Sequence, residues 1–286
     1  MERDYSFARY LAAKKSVDDR ALNLYVSETL SNVLAGKEDL SVLEVGAGIG
    51  TMVERLYERQ TLLPGTSYLA IDAQANMIET AQERLRPLTE EYALELEVID
   101  LLNFLAREQG RRNWDLLIAH AFLDLVNLKT TLPQLIALLK PGGLFYFTIN
   151  FDGETILYPV IDRELDEQII ALYHRTMDTR MVDGRRSGDS QTGRKMFAHL
   201  PAAGAEILDA GSSDWVVYPR AGGYEADEAY FLHYIVHTIA RALEGNPDLD
   251  RNYFAAWIAQ RHAQIEAGTL VYIAHQLDFC GRLSRS

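Results

Sequence analysis

The sequence predicts an α/β fold in which a parallel sheet carries helices on both faces. Short β-rich runs alternate with runs of helical periodicity over the first half of the chain, and a glycine-rich turn joins the first strand to a helix. Parallel strands need long crossover connections, which are usually helices. The 286 residues are enough for one large domain or two small ones.

The first half of the chain predicts five strands and the helices between them. A helix is expected from Ser16, which can cap it, to Gly36, which can end it. Strands are then expected at Ser41–Val45, Ser67–Ile71, Leu94–Ile99, Trp114–Ala119 and Leu144–Ile149. The helices between them are expected around Met52 and Leu56, at Asn76–Leu85 and at Leu132–Leu139.

After Asn150 the pattern changes, because helical periodicity outweighs strand signals. Helices are expected around Ile161–Leu172, Arg194–Ala203, Asp227–Leu243 and Phe254–Ile265, a long loop at Asp178–Lys195, and strands at Ala205–Leu208, Trp215–Tyr218 and Leu270–Phe279. Helical insertions near the edge of an α/β sheet often cover the ligand crevice. We therefore expect a helical cap in this half.

Composition narrows the classes of partner. The chain has 28 Lys and Arg against 41 Asp and Glu, a net charge of −13 that repels nucleic acids and anionic lipids. A single cysteine, Cys280, cannot form an internal disulfide. Residues 1–10 lack an apolar core, and no apolar run approaches the roughly 20 residues of a membrane span. We expect a cytoplasmic protein without nucleic-acid or membrane partners.

The glycine turn is the strongest local signal of a binding site. Gly46, Gly48 and Gly50 alternate directly after the first strand, so bare backbone can approach a ligand there. Asp72 and Asp100 end the next two strands, where carboxylates can accept hydrogen bonds from a ribose and a base. The alternatives are a tight turn without a ligand and, for Asp72, a helix cap.

Together these residues resemble the class I S-adenosylmethionine-dependent methyltransferases, in their small-molecule type. The resemblance rests on Glu44-x-Gly46-x-Gly48-x-Gly50, Asp72, Asp100, the strand Trp114–Ala119 and the turn Lys140-Pro141-Gly142-Gly143. It implies a Rossmann-like sheet of seven strands in the order 3-2-1-4-5-7-6, with helices on both faces and a helical cap around the last strands. The last strand would be antiparallel, and Leu270–Phe279 is the candidate for it.

The resemblance also implies a cofactor, S-adenosyl-L-methionine, which becomes S-adenosyl-L-homocysteine. Cofactor contacts would come from the glycine turn and the ends of the first four strands: Glu44, Gly46, Ala47, Gly48, Gly50, Asp72, Ala73, Met77, Asp100, Leu101 and His120. Glu44 would order the methionine amino group, Asp72 would accept from the ribose hydroxyls, and Asp100 would meet the adenine amino group.

His120, directly after the fourth strand, is the candidate catalytic base, because histidine alone has an ordinary pKa near neutrality. The alternative is a histidine that contacts the cofactor or is held by structural hydrogen bonds.

Four further residues are candidates for the acceptor site: Tyr10, Arg186, Tyr230 and His233. Tyr10 belongs to an aromatic cluster, Arg186 to a basic loop, and Tyr230 and His233 to a late amphipathic helix. His233 and His237 have a metal-like spacing, but no metal site is predicted.

We thus expect a helical lid segment at residues 1–38, a Rossmann-like cofactor-binding core at 39–151, and a cap with the closing strands at 152–286. The predicted function is transfer of a methyl group to an O or N atom of a small-molecule acceptor. An NAD-dependent oxidoreductase, a non-catalytic S-adenosylmethionine-binding module and a methyltransferase of proteins remain as alternatives. The sequence leaves the oligomeric state open.

Overall fold

The computed structural model describes residues 4–88, 93–182 and 184–284. The helices of these residues are α1 (Phe7–Ala21), α2 (Leu24–Leu34), α3 (Thr51–Glu58), α4 (Ala75–Leu85), α5 (Leu101–Glu108), α6 (Leu128–Ile136), α7 (Arg163–Asp178), α8 (Thr192–Ala202), α9 (Glu228–Ala242) and α10 (Arg251–Glu266). The strands are β1 (Ser41–Val45), β2 (Ser67–Asp72), β3 (Ala93–Val98), β4 (Trp114–His120), β5 (Leu139–Tyr158), β6 (Met181–Val182), β7 (Arg185–Arg186), β8 (Ala205–Ser212), β9 (Trp215–Val217) and β10 (Val271–Leu283). Among the described helices, none has the length and apolar character to cross a bilayer.

The main sheet has the strand order β3-β2-β1-β4-β5-β10-β8. The first five strands of this series are parallel, whereas β10 runs antiparallel to both β5 and β8. This confirms the predicted order, with β10 as the antiparallel last strand. The short β9 pairs with the first half of β10 and adds an eighth strand to the sheet within the described residues.

The central strands are apolar on both sides, as expected for parallel strands covered by two helical layers. Successive residues alternate between the layers: Leu43 and Leu117 pack in one buried cluster, and Val42 and Leu116 pack in the other. All four side chains are fully buried. Because both faces are covered, the ligand crevice is restricted to the carboxyl ends of these strands.

The start of the chain differs from the prediction of one helix from Ser16. The helix α1 begins nine residues earlier, at Phe7, with Ser6 as its N-cap, and Ser16 lies inside it. A break follows, and Asn23 caps the separate helix α2 by accepting from Val26 N at 3.1 Å. Asn23 favours a cap over a helix interior because its side chain competes for backbone hydrogen bonds.

The strand β5 is much longer than the predicted Leu144–Ile149, since it covers 20 residues. It continues beyond residue 151, so the expected core and cap share this strand. Ile149 has φ 57° and Gly153 has φ 82°, both in the left-handed region.

The segment predicted as a loop at Asp178–Lys195 contains a two-stranded hairpin and the start of α8. The helix α6 also begins and ends earlier than the predicted Leu132–Leu139, because Asn127 caps it.

The buried carboxylate of Asp278 joins three elements that lie far apart in the sequence. Its Oδ1 accepts from Ile149 N at 2.7 Å, and its Oδ2 accepts from Asn23 N at 2.9 Å. Burial raises the pKa of Asp278 to about 6. Asp278 therefore satisfies one buried and one partly buried backbone donor where β10 meets β5 and the start of α2.

We predict that Asp278→Ala lowers the free energy of unfolding by about 2–5 kcal/mol, because it leaves one buried and one partly buried N–H group without acceptors. Urea unfolding followed by circular dichroism measures this change. The matched control is Glu206→Ala, which removes a surface carboxylate paired with Arg282 of β10 and should cost about 0–1 kcal/mol. Equal effects of the two variants would show that Asp278 does not have this role.

Candidate active site

A cavity of about 540 Å³ lies at the carboxyl ends of the central strands. Its volume lies within the range of small-molecule sites. Residues from α1, the glycine turn, the ends of β2 and β4, α7, α9 and β10 form its wall. The polar and charged wall residues are Lys14, Glu44, Thr51, Asp72, Gln74, His120, Asp124, Thr155, Arg180, Thr238 and Gln276, with the hydroxyls of several tyrosines.

The glycine turn forms one side of this cavity. Gly46, Gly48 and Gly50 have φ values of 68°, 55° and 79°, in the left-handed region that favours glycine. A Cβ atom on Gly46 would lie 2.2 Å from Cδ2 of Phe122, so the Phe122 ring packs directly on this backbone. Ala47 N donates to Ile71 O at 3.0 Å and fixes the turn against β2. The turn thus presents backbone, with Gly46 and Gly48 on the cavity wall.

Asp72 lies at the end of β2 and also forms part of the wall. Its Oδ2 accepts from Gly48 N and its Oδ1 from Gln74 N, both at 2.9 Å. Each carboxylate oxygen can accept a further hydrogen bond. Gln74 occupies the N-cap position of α4, so Asp72 supports the entry to that helix without being its cap.

The other predicted cofactor residues have different positions relative to the cavity. Ala73 and Leu101 line it, while Met77 is buried beneath the start of α4. Asp100 is exposed and caps α5 by accepting from Asn103 N at 3.1 Å. Asp100 does not contribute to the wall as the structure describes it, although its neighbours Ile99 and Leu101 do.

Glu44 is a buried carboxyl group on the wall, only 1% exposed. Its Oε2 accepts from the hydroxyl of Tyr68 at 2.7 Å. Burial raises the pKa of Glu44 to about 7, although Tyr68 and the nearby Arg55 oppose the shift. Glu44 therefore changes its charge near neutral pH, unlike an exposed glutamate.

The carboxylate of Asp18 on α1 is hydrogen-bonded to three residues of the cavity wall. Its Oδ2 accepts from Lys14 Nζ at 2.7 Å and lies 2.9 Å from His120 Nε2, and its Oδ1 accepts from Trp215 Nε1 at 2.9 Å. Burial alone would raise the pKa of Asp18, but Lys14 and His120 outweigh burial and hold it well below its usual value. Asp18 therefore joins α1 to the ends of β4 and β9 as an ionised group.

His120 lies on the cavity wall with both ring nitrogens hydrogen-bonded to protein groups. Burial lowers the pKa of His120 to about 4, although Asp18 opposes this shift. The ring is therefore neutral at pH 7. Because the Asp18 carboxylate can only accept, Nε2 donates to it, and Nδ1 accepts from the Thr148 hydroxyl at 2.8 Å. In this arrangement no lone pair of His120 is free to take a proton.

Part of the cavity wall is rich in aromatic rings. Tyr10 stacks between Tyr234 and Phe231, with ring centroids at 4.3 and 5.6 Å. Trp215 meets Phe231 edge-on at 5.3 Å. This part of the wall can hold an apolar or aromatic molecule, with tyrosine hydroxyls as its polar groups.

The four predicted acceptor-site residues do not come together. Tyr10 lies in the cavity wall, but Arg186 is exposed on β7. Tyr230 and His233 are also outside the wall as described. The Tyr230 hydroxyl accepts from Ser6 N at 2.7 Å, and His233 Nδ1 lies 2.8 Å from Nδ1 of His262 on α10. The predicted roles of these residues stay predictions.

The sequence analysis did not single out several residues that form the site. Asp18 and Trp215 are paired across 197 positions, and Asp124 reaches the wall from a segment with no motif. For Trp215 the only sequence signal was an expected strand. Arg180 belongs to the same basic loop as Arg186, which was considered for the acceptor site, but Arg180 was not one of the four candidate residues. Contacts over such separations depend on the topology and leave no local pattern.

Comparison with known proteins agrees with this geometry. Residues 43–145 match the family described as a methyltransferase domain. The chain is 28% identical over 140 residues to the hybrid PKS-NRPS synthetase lepA of Aspergillus flavus. That match covers 47% of this chain and 3% of the much longer synthetase.

Solved structures share the fold at low sequence identity. A Bacillus halodurans C-125 protein assigned as a methyltransferase is 12% identical with a TM-score of 0.52, over 90% of this chain and 98% of that one. Phosphoethanolamine N-methyltransferase 2 of Haemonchus contortus, solved with phosphomonomethylethanolamine and S-adenosylhomocysteine, is 12% identical with a TM-score of 0.50. That match covers 99% of this chain and 59% of the other.

The strand order and the glycine turn define a Rossmann-like methyltransferase fold. The match of residues 43–145 to the methyltransferase-domain family lies over this part of the fold and agrees with it.

Proposed function

We propose that the protein transfers a methyl group from S-adenosylmethionine to an O or N atom of a small-molecule acceptor. The observation that carries this proposal is that the glycine turn, Glu44 and Asp72 share one cavity with a set of aromatic rings. A cofactor held against the glycine turn, at the cofactor end, would face an acceptor held against these rings, at the acceptor end. The bound cofactor supplies an electrophilic methyl group on its sulfonium.

The residues of the cofactor end fit the parts of S-adenosylmethionine. The backbone of Gly46, Ala47 and Gly48 would contact the methionine part, and Glu44 would bind its amino group when ionised. Asp72 would accept from the ribose hydroxyls with the lone pairs that Gly48 and Gln74 leave open. Gly50, Ala73, Met77 and Leu101 would support the turn and the adenine, and Asp100 would have to reach the adenine from the rim.

The acceptor end supports a small molecule better than a protein substrate. Its wall comes from α1, α7, α9 and β10, so several separate segments enclose it. Methyl transfer depends on holding the acceptor atom about 3–3.5 Å from the reacting carbon in a site that excludes water. The aromatic wall provides both confinement and exclusion of water.

We propose that His120 contacts the cofactor or is held by structural hydrogen bonds without taking a proton, which is the alternative to its predicted role as the base. It is neutral at pH 7, and Asp18 and Thr148 occupy both of its nitrogens. To act as a base it would have to exchange the Thr148 hydrogen bond for one from the acceptor. We also propose a cytoplasmic location, which the lone buried Cys280 supports.

We predict that S-adenosylhomocysteine binds the purified protein and that Asp72→Ala weakens this binding by about 1.5–3 kcal/mol, the range for hydrogen bonds to a charged group. Calorimetric titration measures the affinity, with NADH as the control ligand and Glu79→Ala, an exposed change on α4, as the control variant. Binding of NADH instead would contradict the proposal. Unchanged affinity in Asp72→Ala would contradict the assignment of Asp72 alone.

We further predict that S-adenosylhomocysteine affinity falls below pH 7, because Glu44 must lose its proton to bind the ligand amino group and its pKa is about 7. The loss should approach tenfold per pH unit. Glu44→Gln should bind more weakly at pH 7.5 and lose this dependence.

The raised pKa of Glu44 also makes the stability of the fold depend on pH, in the opposite direction to ligand affinity. Because the pKa rises from its ordinary 4.5, the contribution of Glu44 to stability is complete below pH 4.5 and is lost as pH rises through about 7. The binding prediction is tested by calorimetric titration with S-adenosylhomocysteine at pH 5.5, 6.5 and 7.5, for the wild-type protein and for Glu44→Gln. Parallel pH profiles would exclude Glu44 as the titrating group.

A further inference from the structure

Two charged side chains at the acceptor end have no part in the cofactor site described above. Asp124 lies in a short 3₁₀ turn, Leu123–Leu125, that follows β4, and Arg180 lies just after the end of α7. Both line the cavity. The inference drawn from them rests on the proposed function, since it concerns the acceptor of that reaction.

Arg180 differs from Lys14, the other cation of the cavity wall. Lys14 is neutralised by its ion pair with Asp18. Arg180 acts electrostatically on Asp124 and on the Tyr173 hydroxyl, but forms no ion pair with a carboxylate in the described part of the chain. Its planar guanidinium remains available to an anionic ligand, for which arginine is the preferred partner.

Asp124 complements Arg180, because it offers a hydrogen-bond acceptor where Arg180 offers donors. Its Oδ1 is buried and has no hydrogen-bond partner among the described residues. Burial raises the pKa of Asp124, and the charges of Arg180 and Lys14 only partly offset this. The Oε1 atom of Gln276, also on the wall, is a second buried acceptor without a donor. Such orphaned oxygen atoms call for a ligand that donates hydrogen bonds.

The connection after α7 holds Asp124 and Arg180 in place. Asp189 N donates to Asp124 O at 3.2 Å, and Ser187 N donates to Arg180 O at 3.0 Å. Gly188 lies between them with φ 98°, and a Cβ atom there would come within 3.0 Å of Asp124 O. A side chain at position 188 would be strained, so a glycine is favoured where this connection passes the backbone of Asp124. The backbones of Asp124 and Arg180 are thus both held by the same short segment.

We propose that Arg180 and Asp124 form an acceptor subsite for a dipolar small molecule, whose carboxylate or phosphate binds Arg180 and whose amine or hydroxyl donates to Asp124. Such a ligand would explain why Arg180 and Asp124 line one cavity without an ion pair between them. The aromatic wall of Tyr10, Tyr234 and Trp215 would hold the apolar remainder of the acceptor.

The test titrates the complex with saturating S-adenosylhomocysteine against three probes that share a phenyl ring: L-phenylalanine, 3-phenylpropionate and phenethylamine. The dipolar probe should bind about tenfold or more tighter than either singly charged probe, because it makes one more charge-assisted hydrogen bond than each of them. Arg180→Gln should remove its advantage over phenethylamine, and Asp124→Asn its advantage over 3-phenylpropionate. Arg163→Gln, exposed at the start of α7, is the control.

Thermal unfolding and S-adenosylhomocysteine affinity verify that each variant is folded, and Arg180→Lys should keep part of the preference. If S-adenosylhomocysteine itself fails to bind wild-type protein, the proposed function fails. If it binds but L-phenylalanine binds no tighter than the singly charged probes, or not at all, the dipolar subsite is overturned. A preference that persists in both Arg180→Gln and Asp124→Asn overturns it as well.

Discussion

The buried carboxylate of Asp18 is the interaction on which the arrangement of the cavity depends. Three groups donate to it, from α1 itself, from His120 at the end of β4 and from Trp215 at the start of β9. A buried charge is costly unless paired and hydrogen-bonded, and each oxygen of Asp18 has such partners. The network therefore fixes α1 across the strand ends, where Tyr10 and Lys14 become part of the wall.

The cavity wall combines two kinds of surface. Backbone of the glycine turn and the acidic groups Glu44 and Asp72 form one kind, and aromatic rings form the other. On the same wall, His120 is neutral and Lys14 is paired with Asp18, so neither adds a net charge to the cavity. Polar recognition of a ligand therefore depends on other residues of the cavity wall.

Much of the fold was predictable from the sequence because its signals are local. The buried strands β1 and β4 are short and mostly apolar, which is typical of strands covered on both faces. The glycine turn is recognisable because its positive φ angles favour glycine. The strand order followed from a resemblance that these motifs carry. The start of α1 was missed because its cap, Ser6, precedes an aromatic segment, and the more obvious cap signal at Ser16 lies inside the helix. The acceptor end was not predictable, since Trp215 and Asp18 meet only through the topology.

The most direct test of this account is the free energy of unfolding of Asp18→Asn, measured by urea titration beside the exposed control Glu38→Gln. The account predicts a loss of about 3–5 kcal/mol for Asp18→Asn, because Lys14 would remain buried without its counter-charge. Affinity for S-adenosylhomocysteine should fall with it as α1 loosens over the cavity. A variant with wild-type stability and affinity would contradict the central role of Asp18.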